Sequence, residues 1–315
     1  MPSSAVHTFT DPDDYAERVR GMTVDLMVTE RGRFAGKIIR IDLHRLWMQR
    51  LSDNLQRVAH AVGAPERAIM TFRTKPGPSQ LADGAEMHPN AIIRHCRGHD
   101  YRQRSAGSAS LGGMSLPMEE MASGEVVFAG CDLTPPKDPL IVTPLPSAMA
   151  KLQQLHAAAG KLAEDAPEII ANPEVARGLE QALIEALVGC LGNGEVRDDR
   201  SAQRRHSLIM RRFRRAVEEN PDQPLYIPEL CAAIGVSDRT LRVCCQEQLG
   251  MSPKRYLLLR RMHLARRALR DGSPGMTTVT EIATQYGFWQ FGRFAGEYKS
   301  LFGEAPSAAL QRPRE

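Results

Sequence analysis

Two stretches near the end of the chain are built alike: IPELCAAIGVSDRTLRVCCQEQLGMSP (227–253) and VTEIATQYGFWQFGRFAGEYKSLFGEAP (279–306). In each, a short apolar helical pattern runs into a glycine. A second helical pattern follows, which ends on Leu-Gly or Phe-Gly shortly before a proline. Helix, glycine turn and second helix are the layout of a helix-turn-helix. The sequence therefore predicts two such motifs, at about residues 226–247 and 277–300.

The bulk composition fits a globular protein with two cores. The chain has 315 residues, of which 42% are hydrophobic, and this is enough to form two domains. It contains no run of about 18 apolar residues of the kind that crosses a bilayer, and its acidic start lacks the apolar segment of a signal peptide. The 6 cysteines form no CxxC pair, which favours a reducing compartment. We therefore expect a cytoplasmic protein with no membrane partner.

Positive charge is concentrated in the last third of the chain. The formal net charge is +4 at pH 7. Residues from 203 onward carry an excess of Lys and Arg, whereas the residues before them carry an excess of Asp and Glu. Basic side chains that neutralise DNA phosphates release counterions, which favours binding. Double-stranded DNA is therefore the expected partner of the basic part, and a solvated basic surface is the alternative.

The periodicity of apolar residues divides the chain into three parts: residues 1–191, a charged linker at 192–202, and residues 203–315. Between residues 23 and 128, short β-branched runs alternate with turn residues. This pattern predicts six to eight strands in a β-rich domain, with a cupin-like jelly roll as one candidate. The residues before about 20 are interpreted as a loose leader. The predicted fold class is thus α+β, with a β-rich domain followed by an all-helical domain.

Two helices are predicted to close the β-rich domain, at residues 147–162 and 174–191. Asn172 and Pro173 have the residue types that favour the cap and the first position of the second helix. Each helix has one apolar stripe. The pair either packs on its own β domain or joins a second subunit, and the second interpretation predicts a homodimer.

The first recognition helix is predicted at Ser237–Leu249. Ser237 is a suitable N-cap, and it leaves free backbone N–H groups where a phosphate can dock. The spacing i, i+3, i+4 and i+7 places four residues on the face away from the apolar stripe: Arg239, Arg242, Val243 and Gln246. Arginine matches the O6 and N7 acceptors of guanine, so Arg239 and Arg242 are the candidates for base readout. Thr240 lies near the edge of this face and can contact a thymine methyl group or a phosphate.

The second recognition helix is predicted at Gln290–Phe302. Its groove face is predicted to carry Gln290, Phe291, Arg293 and Glu297. Gly292 and Gly296 interrupt this face and lower the helix propensity by about 1 kcal/mol each. Arg293 is the candidate for base readout and Lys299 for phosphate contact. The first helix is therefore expected to discriminate between bases more strongly than the second.

A single long helix is predicted between the two motifs, at Pro253–Asp271. At about 1.5 Å per residue it spans nearly 30 Å, close to the spacing of about 34 Å between successive major grooves. It is expected to hold both recognition helices on one side of the duplex. Its arginines are expected to form a basic surface.

These two motifs resemble the DNA-binding domain of the AraC/XylS family of bacterial transcriptional regulators. LCAAIGVSDRTLRVCCQEQLGMSPKRYL (230–257) is similar to the family's first helix-turn-helix. GFWQFGRFAGEYKSLFGEAPSAAL (287–310) is similar to its second, together with the exit helix. The resemblance covers roughly residues 203–312. It implies a domain of seven helices, sequence-specific promoter binding and activation through contact with RNA polymerase.

The resemblance also implies particular base-contacting positions. Carried over by motif, they are Arg239, Arg242, Val243, Phe291, Gly292, Arg293 and Gly296. The sequence departs from the common pattern at Val243, Cys245 and Gly296, which weakens the case for contacts from the second helix. In the β-rich part, IIRIDLHRLWMQR (38–50) and YRQRSAGSASLGGMSLPMEEM (101–121) are similar to regulatory domains that bind a small effector or a partner subunit.

Two further clusters carry side chains that could bind a ligand. Arg94, Arg97, Arg102 and Arg104 lie beside SAGSASLGG and are candidates for an anionic effector, with a solvated strand edge as the alternative. His95, Cys96 and His99 have ligand-like spacing, with His88 nearby. A metal there would indicate a metal-dependent cupin-like enzyme with an accessory DNA-binding tail. No carboxylate accompanies these histidines at clear spacing, so we predict neither metal, cofactor, catalytic residue nor enzymatic activity.

Together these patterns predict a transcriptional regulator that binds promoter DNA through two helix-turn-helix motifs. It is expected to act as an activator under the control of a small effector or a partner subunit at the β-rich domain. A regulator that responds to no effector is the remaining alternative.

Overall fold

The computed structural model describes residues 1–98, 100–119, 133–197, 201–219 and 225–312, and for residues 201–204 it describes the backbone alone. The strands within these ranges are β1 (Ser3–Phe9), β2 (Met22–Val28), β3 (Gly36–Asp42), β4 (Trp47–Asp53), β5 (Arg57–Gly63), β6 (Arg67–Arg73), β7 (Gln80–Ala82), β8 (Ala85–Glu86), β9 (Ile92–Arg94), β10 (Asp100–Ser105), β11 (Ala109–Pro117), β12 (Leu140–Thr143) and β13 (Glu195–Arg197). The helices are α1 (Pro12–Glu17), α2 (Pro146–Asp165), α3 (Pro167–Ala171), α4 (Pro173–Gly192), α5 (Ser201–Glu218), α6 (Ile227–Ile234), α7 (Asp238–Leu249), α8 (Pro253–Asp271), α9 (Val279–Gln285), α10 (Phe291–Phe302) and α11 (Pro306–Gln311).

The N-terminal part is a sandwich of two antiparallel sheets. The larger sheet has the strand order β1-β3-β4-β11-β6-β9-β12-β13, and the smaller has the order β2-β5-β10-β7-β8. Alternate side chains of each strand point to opposite faces. Leu26 and Ile38 therefore meet between the sheets, in a cluster closed by Tyr15 and Phe34. The α+β fold class predicted from the sequence is confirmed.

The outer face of the larger sheet is covered by α2 and α4. Leu152 of α2 and Leu187 of α4 are fully buried in one cluster with Met48 and Phe72 of the sheet. The apolar stripes of both helices thus pack on their own β domain. Asn172 caps α4 by accepting from the backbone N–H groups of Glu174 and Val175, as predicted. The expected homodimer stays a prediction.

Three sequence-based expectations for the N-terminal part are wrong. The expected loose leader is ordered, because β1 pairs with β3 along its whole length and α1 follows directly. The described part of the region between residues 23 and 128 holds ten strands, β2 to β11, rather than six to eight, since many are short and do not alternate cleanly. Within the expected linker 192–202, Glu195–Arg197 form β13 against β12, and α5 begins at Ser201. The division into domains itself stays a prediction.

The C-terminal part is a bundle of seven helices in its described residues, α5 to α11. Its core includes Phe213 of α5, Leu241 of α7, Leu259 of α8 and Tyr298 of α10. The bounds of α8 coincide with the helix predicted between the two motifs. Glycines with positive φ end α6, α7 and α10, where the left-handed conformation favours glycine over other residues.

The helical bundle packs against the outer face of the smaller sheet. Met27 of β2 and Val58 of β5 belong to the same apolar cluster as the core of the bundle. Tyr256 of α8 lies 3.4 Å from His60 of β5, measured from the hydroxyl oxygen to Nε2. The molecule is thus layered, with α2 and α4, the larger sheet, the smaller sheet and the helical bundle in order.

Arginines at the end of α8 form an ion-pair cluster with the acidic turn around α1. Arg266, which is buried, pairs with Asp11 and with Asp13, the latter at 2.7 Å. Arg267 also pairs with Asp13 at 2.7 Å, and Arg270 pairs with Asp11 at 2.8 Å. Further pairs reach Asp14, Asp25 and Glu304. The predicted basic surface of α8 is therefore wrong at its C-terminal end, where these charges are used to join the two parts.

None of the helices in the described ranges is long and apolar enough to cross a membrane.

Candidate nucleic-acid interface

The first recognition helix, α7, begins at a side-chain cap. The hydroxyl of Ser237 accepts from the backbone N–H of Thr240 at 3.1 Å, which satisfies one of the free N–H groups at the start of the helix. Asp238 lies in the first turn, where a negative charge stabilises the helix N-terminus. The inward stripe of α7 is buried: Leu241, Cys244, Cys245, Gln248 and Leu249. This packing fixes which side of the helix faces solvent.

The opposite side of α7 carries the residues predicted to face the groove. Four of them are exposed, and Thr240 is partly exposed beside them: Arg239, Arg242, Val243 and Gln246. Arg242 donates from Nε to Asp238 at 2.9 Å, one helical turn away. Exposed pairs of this kind contribute little to stability, so Arg242 can exchange Asp238 for a base edge at small cost. The arrangement suits a helix that lies in the major groove.

The second recognition helix, α10, shows the same division into two faces. Phe294, Tyr298 and Leu301 are buried against the bundle. The outer side is exposed at the other predicted positions: Gln290, Phe291, Gly292, Arg293, Gly296 and Lys299. Arg293 donates from Nε to Glu297 at 2.9 Å, which repeats the pair seen in α7. Gln290 precedes the helix but forms no side-chain cap, so this helix start is held less firmly than that of α7.

The thiols of the bundle lie on its inner side. Burial raises the pKa of Cys245 to about 12 and also raises that of Cys244 and Cys231. A thiol held protonated is a poor nucleophile and a poor metal ligand. These cysteines are therefore packing residues of the helices that carry the interface.

One exposed residue at this interface was not singled out from the sequence. Trp289 is 73% exposed and lies directly before Gln290. An exposed tryptophan is unusual outside binding surfaces. The sequence feature that could have indicated Trp289 is an aromatic residue outside the apolar stripe, immediately after Gly287-Phe288. The sequence pattern, however, predicts that the second recognition helix begins at residue 290, which leaves Trp289 outside it.

The four arginines proposed for an anionic effector contact different parts of the structure. Arg94 donates to the backbone oxygen of Thr134 at 2.7 Å, and Arg97 is exposed. Arg102 is buried and donates to Gln248 of α7, while the guanidinium of Arg104 lies beside Gly250. Two of the four thus contact the helical bundle. Their assignment to an effector stays a prediction.

The histidine cluster is described only in part, because His99 lies outside the described residues. His95 is buried, and its Nε2 lies 2.8 Å from the hydroxyl oxygen of Thr71. Across the described ranges, no group of three His, Cys, Asp or Glu side chains is placed to hold a metal ion. The structure thus assembles no coordination set around His95 and Cys96 from the residues it describes.

Comparison with known proteins places the interface in a family. Residues 230–312 match the family described as a helix-turn-helix domain. A probable thc operon regulatory protein of Rhodococcus erythropolis is 44% identical over 95 residues, which are 30% of this chain and 29% of that protein. XylDLEGF operon transcriptional activator 1 of Pseudomonas putida is 30% identical over 169 residues, which are 53% of this chain and 50% of that protein. The chain thus spans half the length, or less, of these two relatives.

Two solved structures are also similar to parts of the chain. A probable AraC family transcriptional regulator from Rhodopseudomonas palustris is 36% identical, with 34% of this chain and 98% of that chain covered and a TM-score of 0.32. The AraC-like transcriptional activator CuxR is 14% identical, with 84% and 95% covered and a TM-score of 0.44. With two helix-turn-helix motifs in order, a matching helix-turn-helix family and relatives that are operon regulators, the C-terminal domain is a helix-turn-helix domain of the kind found in AraC/XylS transcriptional regulators.

Proposed function

We propose that the chain is a sequence-specific DNA-binding regulator. Its N-terminal domain controls it, and α7 and α10 bind promoter DNA. The observation that carries this proposal is that both helices have one buried apolar face and one exposed polar face. Each buries one apolar stripe in the bundle and exposes an arginine-bearing face, with Arg242 and Arg293 one turn from an acidic partner. Such faces match the acceptors of guanine in the major groove.

The two helices have separate tasks in this proposal. The cap at Ser237 leaves the remaining N–H groups of the first turn of α7 free to receive a phosphate. Arg239 and Arg242 then reach base edges, with Val243 and Gln246 beside them. In α10, Arg293 reads a base, Phe291 contacts apolar base edges and Lys299 meets the backbone. Phosphate contacts position the protein, and base contacts specify the sequence.

The length of α8 supports a joint reading by both helices. Its 19 residues span about 28 Å at 1.5 Å per residue, which is comparable with one turn of the duplex. Since α8 packs between the two motifs, it sets their separation. The predicted site is therefore two half-sites about one turn apart, the half bound by α7 being the more strongly specified.

The mode of regulation is proposed from the relatives and from the domain arrangement. One curated relative is named as an operon transcriptional activator. Activation is therefore the proposed outcome, with RNA polymerase as a protein partner and a homodimer as the working form. Contacts such as Arg266 with Asp13 and Arg102 with Gln248 join the β-rich domain to the bundle. A small effector or a partner subunit at residues 1–191 would thus be coupled to the recognition helices.

The proposal is tested by selecting binding sites from a random DNA library with the purified full chain. We expect enrichment of one motif with two unequal halves. The selection is repeated with Arg239→Ala/Arg242→Ala and with Arg293→Ala. The first variant should lose base preference in the strong half and the second in the weak half. Failure of the wild-type chain to enrich any motif would overturn the proposal.

A further inference from the structure

A cavity of about 390 Å³ lies between the larger sheet and α2, away from both recognition helices. Its floor is formed by neighbouring strands of the sheet, β3, β4 and β11, and by the residues that follow β6. The side chains of Arg50, Ser52 and Ser110 belong to this floor. One face of α2 closes the cavity from above, with Gly160 and Lys161.

Arg50 extends from the floor of this cavity to α2. Its Nη1 lies 2.8 Å from Nδ1 of His156, a fully buried residue of α2. Burial and the charge of Arg50 lower the pKa of His156 to about 3, so the imidazole is neutral and accepts this hydrogen bond. A side chain at Gly160 would collide with Arg50, so the glycine makes room for the guanidinium against the helix. The arginine is therefore held in a fixed position.

Arg50 lacks the anionic partner that a half-buried guanidinium normally has. No carboxylate of the described residues lies within ion-pair distance of it, and burial lowers its pKa. The charge of Glu164 acts on Arg50, but the carboxylate of Glu164 pairs with Lys37 instead. A charge that is desolvated without a partner is costly. The fixed guanidinium thus offers unused donors to an anion from solution.

The rest of the lining supplies further donors for an anion. Lys75 and Lys161 contribute two ammonium groups that form no ion pair within the described ranges. Three hydroxyl groups line the floor and the end of β6: Ser52, Thr74 and Ser110. The four basic residues outnumber the two acidic ones, Glu164 and Asp165. The cavity therefore has a net positive charge and many short-range hydrogen-bond donors.

We propose that this cavity binds a small phosphate monoester, with the phosphate on Arg50, Lys75 and Lys161 and the hydroxyl groups of Ser52, Thr74 and Ser110 around it. A phosphate presents three acceptor oxygens and close to two negative charges at neutral pH, and can receive all of these donors at once. A planar carboxylate would occupy the arginine but leave most of the other donors unused.

The organic part of such a ligand has to be small and hydrophilic. The volume of about 390 Å³ accommodates a phosphate with a body of a few carbon atoms. The walls beside the donors are Ile39, Leu51 and Ala157, too little apolar surface to hold a long chain. The proposal concerns binding at the β-rich domain, and it can hold or fail independently of DNA recognition.

The test is calorimetric titration of the full chain, without DNA, with glycerol 3-phosphate, inorganic phosphate and succinate. We expect saturable binding of both phosphates, and binding of succinate at least about tenfold weaker, because the dicarboxylate lacks the matching oxygen geometry. Equal affinity for succinate would overturn the assignment to a phosphate. Absence of any phosphate binding up to millimolar concentrations would overturn the site itself.

Variants locate the binding within the molecule. Arg50→Met and Lys161→Met should each weaken phosphate binding about tenfold or more, since each removes a charged donor. The control Arg177→Ala removes an exposed arginine of α4 outside the cavity, and should bind as the wild type does. Unchanged binding by both cavity variants would contradict the proposal. If Arg50→Met does not fold, Lys161→Met decides the question, because Lys161 forms no ion pair in the described structure.

Discussion

At the scale of single residues, the arginine proposed for base readout in each recognition helix pairs with an acid one turn away. Arg242 pairs with Asp238 and Arg293 with Glu297, both at 2.9 Å and both on the exposed side. In the proposed function, these pairs would orient the guanidinium groups before DNA binds. Because exposed pairs are worth about 1 kcal/mol or less, a base edge can replace the acid.

Arg242→Ala should weaken binding to the selected site by about 1–3 kcal/mol and relax the preference at one base position. The reason is the loss of two donors to a guanine edge. Fluorescence anisotropy on the selected site and on scrambled DNA measures both effects. Arg177→Ala, which removes another exposed and acid-paired arginine far from α7, serves as the control. Equal losses on both DNAs would show that Arg242 contacts phosphate rather than a base.

His263 makes the stability of the fold depend on pH. It is buried in α8 and lies 2.9 Å from the carbonyl oxygen of Val28, measured from Nε2. Burial lowers its pKa to about 4, against about 6.5 in the unfolded chain. Between these values the unfolded state binds the extra proton, so the free energy of unfolding falls as the pH drops from about 6.5 towards 4.

His263→Gln should therefore reduce the loss of stability between pH 7.5 and pH 5. Glutamine has no titrating group but keeps an N–H for Val28. Urea unfolding of the wild type and the variant at both pH values gives the comparison. His60 and His156, whose pKa values are also lowered by burial, maintain part of the slope in the variant. An identical slope in the two proteins would show that His263 is not protonated on unfolding in this range.

At the scale of elements, the helices could be predicted well, whereas the short strands and β1 could not. The bounds of α8, the caps at Ser237 and Asn172 and the buried stripes of α7 and α10 follow from local spacing. The strands β7, β8 and β9 have two or three residues each, too few for a period to show. β1 has no strong alternation and is ordered by its pairing with β3, a contact between distant parts of the sequence.

Gly296→Ala should stabilise the bundle by about 0.5–1 kcal/mol. The glycine lies in the interior of α10, where alanine has the higher helix propensity, and a Cβ there meets no other atom within 4 Å. Gly303→Ala is the matched control. Gly303 ends α10 with φ of 74°, so alanine is strained and should destabilise. Thermal unfolding of both variants should give shifts of opposite sign. A destabilising Gly296→Ala would contradict the assigned helix interior.

At the scale of the whole molecule, the β-rich domain contacts the bundle near the ends of both recognition helices. Arg102 meets Gln248 near the end of α7, and the side chain of Arg33 lies against Gly303 at the end of α10. Asp11 and Asp13 both form ion pairs with Arg266 of α8 and so attach this helix to the β-rich domain. None of these contacts could be predicted from the sequence, because their partners are up to 255 positions apart. The exposed faces of α7 and α10 could be predicted for the opposite reason, since the exposure of each face depends on the residue spacing within one helix.

Asp13→Asn should loosen the junction while leaving each domain folded. Asp13 accepts ion pairs from Arg266 and Arg267, both at 2.7 Å, and asparagine keeps its shape but not its charge. Burial alone would raise the pKa of the neighbouring Asp11, but Arg266 and Arg270 lower it overall. Asp11 thus stays ionised and holds part of the cluster. Hydrogen exchange at the C-terminal end of α8 and at β2 should therefore become faster, but not as fast as in an unfolded chain.

Salt and a neighbouring variant distinguish the ion pairs from a general loss of charge. Added salt screens partly exposed pairs, so the wild type should approach the exchange rate of Asp13→Asn as ionic strength rises, while the variant changes less. Glu17→Gln removes an exposed acid from the same helix, α1, and should leave exchange in α8 unchanged. Faster exchange in Glu17→Gln to the same extent would show that the junction responds to net charge rather than to the Asp13 pairs. The affinity of Asp13→Asn for the selected DNA then measures how strongly the position of the β-rich domain is coupled to the recognition helices.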